Sequence, residues 1–552
     1  MKRVIKIIAL FLIVSLLLSG CSLAEFSAQM DALRDQILGD FGINQEDYPS
    51  FQEMEYVRPN MIKLQATADV VLESAQTATD VEALMEEVNA FFSEYMWFYT
   101  YYNLANIYYC IDMTDPYWQA ENNYCTEQYP TVDAAREEVL YALAKSSLRE
   151  ALEHDDYFGA DYFDAYDGQS VYDDVFMALM SEETAIMNRY YQVSAEAASV
   201  EFGSEEYYTT YGTQLAEILV ELIAVRQKQA THCGYDSYPD FAYDFYHGRD
   251  FTPDQAKTYM QAVAEELTPL YRQVNTQFGW DAMYELSNES ATFDYVKKTA
   301  EAMGGDIATG FYYLEEDQLY HISPGENKFN ASFEVYLPGY DQPFIFLNPL
   351  RNATDKLAFV HEFGHYMADY YTWGSNAGTD VAEVQSQAME YLSLIYAEAD
   401  QTLVDHKLAD SLCIYVEQSA YALFEQEMYN LKGLKLSVES LQALYERIGS
   451  SFGFDSWSWD SRDYVTITHY YSYPMYIVSY VVSNDLALQI YQQELETSGA
   501  GLATYEEILS SDMWYIMEFA ETYGLENPLE PARLKEINEL FTAALADWPT
   551  HA

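Results

Sequence analysis

Basic residues are scarce in this chain of 552 residues: 27 Lys and Arg stand against 89 Asp and Glu, a formal net charge of −62. A surface that negative repels phosphate backbones and anionic headgroups, which excludes nucleic acid and an electrostatically held lipid surface as partners. Cysteine is scarce too. Of the five, Cys21 lies in an amino-terminal segment treated below, and Cys110, Cys125, Cys233 and Cys413 are too few for a disulfide framework. Free, mostly buried thiols are expected, with a Cys110–Cys125 pairing left open. Internal repeats and low-complexity linkers are absent, and beyond residue 18 no stretch is long and uniformly apolar enough to span a membrane.

What is present at the amino terminus is a basic start (Lys2, Arg3, Lys6), an apolar run over 7–18, and Leu18-Ser19-Gly20-Cys21. That order describes a secretory signal peptide over 1–20. Leu-Ser-Gly-Cys resembles the bacterial lipobox, which implies cleavage before Cys21, a lipid on it, and a body tethered to the extracellular face of the cytoplasmic membrane. The rest is half apolar and carries 53 tyrosines, enough to bury a large core. Tyrosine-rich runs over 95–102 and 470–480 suit the walls of a wet interior cleft, since the ring packs and the hydroxyl stays hydrated.

From residue 26 to 203 the pattern is long amphipathic helices, such as 79–103 and 132–154, with nothing that carries chemistry; His154 reads as a surface residue. Residues 205–235 continue as another long helix. Thr252-Pro253-Asp254-Gln255 combines a capping threonine, proline at the first helical position and a reciprocal glutamine, so a helix starts there. His232 and His247 read as structural. The one clear β signal is a hairpin: 330–337 and 342–347 flank the turn 338–341, with Pro343 suggesting an edge strand.

Immediately after the hairpin, 357–367 reads Leu-Ala-Phe-Val-His-Glu-Phe-Gly-His-Tyr-Met. On a helix, His361 and His365 lie four apart and present two imidazoles on one face. Glu362 lies beside them, placed to take a proton from water, which is why this spacing reads as a zinc peptidase. A catalytic zinc takes a third protein ligand. After the breakers 374–378 a second helix opens at Thr379, with Glu383, Gln387 and Glu390 on one face, able to meet the histidines if the two helices fold back on each other.

His-Glu-Phe-Gly-His followed 22 residues later by Glu383-x-x-Ser386-x-x-x-Glu390 resembles the zinc peptidase family of thimet oligopeptidase and oligoendopeptidase F. The resemblance implies Glu383 as third zinc ligand and Glu390 as a carboxylate orienting a ligand histidine. It extends from about residue 205 to the carboxyl terminus. The hairpin is similar to the family's small sheet, whose exposed edge holds an extended peptide by backbone pairing; Lys328 fits a basic residue of that segment, while Asn330 replaces a frequent glycine. The segment 467–480, with His469, Tyr476 and Tyr480, looks like the family's substrate segment. Its neutral imidazole and a phenol, Tyr480 or in reserve Tyr476, are then donors to the anionic carbonyl oxygen of a peptide under attack.

What the resemblance implies as a whole is a mainly α fold, an elongated helical ellipsoid with a deep central channel and a small β-sheet beside the His-Glu-x-x-His helix. The division expected is a signal peptide (1–20), an amino-terminal helical region (21–203) and a catalytic region (204–552). The activity implied is a zinc endopeptidase with one zinc per chain, cutting short peptides. The rival reading is a lipoprotein of the same shape, catalytically inactive, that binds peptides for uptake or sensing.

Overall fold

In a computed structural model, the described residues are 49–545 without 155–156, 169–170, 198–199, 202, 278–286, 373, 375–376, 455–458 and 512. The segment 1–20 and Cys21 lie outside them. Three long helices open the described chain: Met61–Thr77, Val81–Ile111 and Pro116–Ala144. Each starts on a side-chain cap: Asn60 accepts from Lys63 N, Asp80 from Glu82 N, and Asp115 from Tyr117 N and Trp118 N ahead of Pro116 at the first helical position. The expected boundaries 79–103 and 132–154 are therefore shifted. Tertiary packing carries the second helix on to Ile111, and the third begins at the Asp115-Pro116 signal.

These helices enclose a cluster of buried apolar side chains that includes Leu64, Val88, Phe91, Phe98 and Val139. A larger cluster holds the remaining buried core, from Phe176 to Leu545, and takes Leu104, Ile107 and Cys110 from the far end of the Val81–Ile111 helix. One helix thus threads both cores. The 205–235 stretch is helical but interrupted, with a π-turn at Tyr208–Gly212 before the helix Thr213–His232. The helix Pro253–Glu266 starts with the reciprocal Thr252–Gln255 cap read from the sequence. Cys110, Cys125, Cys233 and Cys413 are free thiols. Among the described residues no helix is long and apolar enough to cross a membrane.

The hairpin forms as expected, β2 (Phe333–Leu337) and β3 (Gln342–Phe346) in antiparallel register with Val335 opposite Phe344. A short β1 (Tyr320–His321) adds on in parallel, so the order is β1-β3-β2. This corrects the edge-strand reading of Pro343: β3 is the central strand. Proline is tolerated because β1 pairs only with Ile345 and Phe346; at Pro343 one side of the strand has no partner to miss its N–H. The edges are instead β1 and β2, and β2 is the longer, with four of its five residues partly accessible. The fold is mainly α with one small sheet, and that sheet packs on the His-Glu-x-x-His helix.

Candidate metal centre and substrate segment

The helix that carries the motif is Asp355–Thr372. Its start is fixed by Asp355, whose carboxylate accepts the backbone N–H of Leu350 and Arg351 at 2.8 Å each and of Asn352 at 3.2 Å. Leu357, Val360, Phe363 and Met367 are buried as the periodicity requires. The second helix, Thr379–Tyr396, packs across it. Gly364 is what allows the approach. A Cβ there would lie 2.6 Å from Ser386 Cα and 2.9 Å from Gln385 O, closer than side-chain carbons sit against backbone. The glycine inside the motif and the serine after Glu383 are the contact point of the two helices, a role the sequence reading did not assign to either.

That crossing brings His361, His365 and Glu383 together, one ligating atom of each within 4.8 Å of the others. His361 Nε2 lies 3.5 Å from Glu383 Oε2, and His365 Nε2 lies 3.9 Å from Glu383 Oε1. The other nitrogen of His361, Nδ1, is 2.8 Å from Glu390 Oε1, and the second oxygen of Glu390 accepts from Lys407 Nζ at 2.7 Å. Glu390 thus orients the ring so that Nε2 faces the cluster. The lysine, fully buried on the helix Gln401–Cys413, has no signal in sequence. Gln387, on the same helix face, turns to Ser483 Oγ at 3.0 Å and to Tyr480 O at 3.3 Å, away from the histidines.

The electrostatics agree with a cation in this position. Burial pulls His361 down, but its bond to Glu390 and the charge of Glu383 outweigh that and hold it at about 9. Burial and then the neighbouring His361 charge push His365 to about 3. Burial raises Glu390, yet Lys407 and His361 more than reverse this and bring it to about 2. Two carboxylates therefore draw a positive charge to the point where three ligand atoms converge, and a set of two imidazoles and a carboxylate suits zinc. Glu362 is raised to about 7, first by burial, against the opposing charge of His361. A carboxyl near neutrality fits proton transfer. It also accepts from the backbone of Glu334 on β2, so the sheet edge and Glu362 are physically joined.

The segment 467–480 meets Glu383 through Tyr476. His469 Nε2 is 3.1 Å from the Tyr480 hydroxyl, while the Tyr476 hydroxyl donates to Glu383 Oε1 at 2.6 Å. The two tyrosines are thereby separated: Tyr480 pairs with the histidine and Tyr476 with the candidate ligand. Burial holds His469 near 4 and lifts both phenols far above their ordinary range, so all three are neutral donors at physiological pH.

Four buried side chains from other elements hold this segment; His247 has the structural role expected of it, and Arg226, Arg249 and Glu425 carry no signal in sequence. Arg226 donates to Tyr470 O at 2.7 Å and also to Tyr471 O; His247 Nε2 donates to Pro474 O at 2.9 Å. Arg249 donates to Met475 O at 2.9 Å, and Glu425 accepts Met475 N–H at 2.8 Å. Met475 has a φ of 66°, a conformation costly for a side chain with a Cβ and sustained here by this ring of partners. Arg249 also pairs with Asp380 at 2.9 Å, at the start of the Glu383 helix. One arginine therefore fixes the substrate segment relative to the metal cluster.

Residues 322–537 match the model of peptidase family M3, and residues 51–169 match the peptidase M3 N-terminal domain. Oligopeptidase PepF of Bacillus subtilis (strain 168) is 24% identical over 290 residues, a stretch covering 47% of this chain and 43% of that protein. The match thus spans less than half the length of that relative. Among solved structures, PZ peptidase A with an inhibitor is similar with a TM-score of 0.77 and 18% identity, over 91% of this chain and 99% of that one. Oligoendopeptidase-F from Enterococcus faecium has a TM-score of 0.56 and 14% identity, over 89% and 97%. At such identities the likeness speaks for the fold. The family matches fall on both the amino-terminal helices and the metal-centre region, and the chain belongs to peptidase family M3.

Proposed function

We propose that the protein is a zinc-dependent endopeptidase of short peptides, held outside the cell by a lipid on Cys21. The observation that carries the reading is the convergence of His361, His365 and Glu383 beside Glu362, with His469 and Tyr480 across from them. His361, His365 and Glu383 hold the zinc, which when bound supplies a Lewis acid that polarises the scissile carbonyl and makes water more acidic.

The chain's own residues do the rest. An extended peptide pairs its backbone with the accessible β2 edge, which sets its carbonyl beside Glu362. Glu362 takes a proton from water as the water attacks, and its raised pKa lets it hold that proton and pass it to the leaving amine. His469 and Tyr480, both neutral, donate hydrogen bonds to the carbonyl oxygen as it becomes negative. Arg249, Glu425, His247 and Arg226 keep that segment in place, so no reorganisation is needed when charge develops.

The test is turnover of an internally quenched fluorescent peptide, abolished by a chelator and restored by zinc. Peptide binding without turnover in the zinc-loaded protein would overturn the enzyme in favour of the inactive peptide-binding lipoprotein. Mass spectrometry of the membrane fraction checks the anchor: a diacylated Cys21 at the mature amino terminus is expected.

A further inference from the structure

Beside Tyr476 lies a cavity of about 650 Å³ between the amino-terminal helices and the 467–480 segment. Tyr476 is the join, since its side chain lines this cavity while its hydroxyl bonds Glu383. Five charged residues line it: Asp133, Arg136, Glu137, Glu183 and Arg226. Two pairs cancel. Arg226 is bound by Glu183 at 2.6 Å, and its remaining nitrogens are taken by Tyr429 and by the carbonyls of Tyr470 and Tyr471; Arg136 sits 2.6 Å from Glu137. Among the described residues no cation pairs with Asp133, which accepts from the phenols of Tyr99 at 2.7 Å and Tyr95 at 3.4 Å and also from Tyr129.

A second, independent feature points the same way. His247 lines the cavity and is only 8% exposed. Its Nε2 donates to Pro474 O, so Nδ1 carries a lone pair, and that atom is buried with no partner. A buried acceptor left unmatched in this way asks for a donor from a ligand. Both groups are acceptors, one an anion whose charge no cation balances, and tyrosine rings, Tyr129 and Tyr172 among them, supply faces that attract cations.

We infer that this cavity is a specificity subsite for a cationic group of the peptide, its free amino terminus or a lysine or arginine side chain, held by Asp133 and His247. The inference rests on the peptide-hydrolysing reading above and names the class of substrate it prefers. The negative surface of the chain draws the same peptides toward the cleft.

Binding is measured by titration calorimetry on the zinc-loaded full chain carrying Glu362→Gln, so that peptides are bound and not cut. The peptides are about a dozen residues long, a length a channel site can take, with neutral bodies and amidated carboxyl ends. One has a free amino terminus, one is acetylated, one is acetylated with a lysine placed in turn at each position, and one is acetylated with a glutamate placed likewise. At least one cationic form is expected to bind about tenfold more tightly than the acetylated neutral peptide, the size of one charge-assisted contact. Whether the free terminus or the lysine carries the gain identifies the source. Asp133→Asn, with an unchanged circular dichroism spectrum, should remove the gain and leave the neutral peptide unaffected. If that variant does not fold, Met187→Trp, which narrows the cavity from the helix Asp174–Ala197, must remove it. No gain for either cationic form, tighter binding of the glutamate form, or a gain that survives the substitutions overturns the inference. Cutting of the neutral peptide by the wild-type chain with no cationic preference would overturn this inference alone, whereas failure of all peptides to bind or be cut would remove the peptidase reading itself.

Discussion

His361 shows how much one side chain's surroundings decide: its two nitrogens face two different glutamates, and the direction each faces assigns their roles. Glu383 faces Nε2 of both histidines, as the proposed ligand must, and Glu390 faces Nδ1, as the proposed orienting group must. Glu383→Ala should therefore strip zinc, whereas Glu390→Ala should weaken it by about 10–100-fold; competition with a chromophoric chelator reads both, and the opposite order would exchange the assignments. Glu362→Gln keeps shape and hydrogen bonding but not basicity, so kcat should fall by about 10²–10⁴ with zinc content unchanged. Tyr480→Phe should lower kcat by about 10² with KM nearly constant, since it removes a donor to an oxyanion that exists only along the reaction path. Tyr476→Phe should instead loosen zinc, because its hydroxyl bonds Glu383. A normal kcat for Tyr480→Phe beside a crippled Tyr476→Phe would move the oxyanion role to Tyr476.

At the scale of elements, the site is a crossing of two helices with a clamped loop above it. Gly364→Ala puts a methyl 2.6 Å from the Ser386 backbone, where no flexible side-chain end can yield. The helices must separate, at a cost of about 1–3 kcal/mol. Urea denaturation should show that loss and chelator competition a weakened zinc site; wild-type values for both would mean the crossing does not depend on close contact. The loop clamp has its own pH signature. Burial, ahead of the opposing Met475 N–H and the Arg226 and Arg249 charges, raises Glu425 to about 8. The folded chain then keeps a proton there that the unfolded chain releases above about pH 4.3. The stability contributed by this proton is complete below that pH and is lost as the pH rises through about 8, at a slope of up to about 1.4 kcal/mol per unit. Glu425→Gln has no such proton, so the stability of the variant relative to wild type should rise between pH ~5 and ~8. A constant difference across that range, by urea denaturation, would show Glu425 ionised in the fold.

For the whole molecule, the decisive property is that the groups proposed to react are interior. Glu383 is 2% exposed and Glu362 8%, and β2 is the accessible edge beside them. An extended peptide of about a dozen residues reaches such a site, while a folded loop does not. The zinc-loaded protein should accordingly cut short peptides and spare a native globular protein, followed by mass spectrometry; rapid digestion of the native protein would require an open site.

The chain by itself determined what depends on local backbone period: that His361 and His365 share a helical face, that Glu362 lies beside them, that Thr252 and Gln255 cap a helix, and that 333–346 is a hairpin. It also placed Glu383 and Glu390 on one face of the next helix. The family resemblance implied Glu383 as the ligand, but helical period alone left the two equivalent; which of them meets Nε2 depends on how closely two helices cross, and the crossing is set by Gly364 against Ser386. The same holds for Lys407, Arg249, Glu425 and the acceptors around the cavity. Each lies on a different element from the group it serves, Lys407 17 residues from Glu390 and Arg249 226 residues from Met475, so no local spacing announces them. The strand order needed the fold as well: Pro343 marks an edge in sequence, yet β3 is central, because the strand beside it is too short to reach the proline.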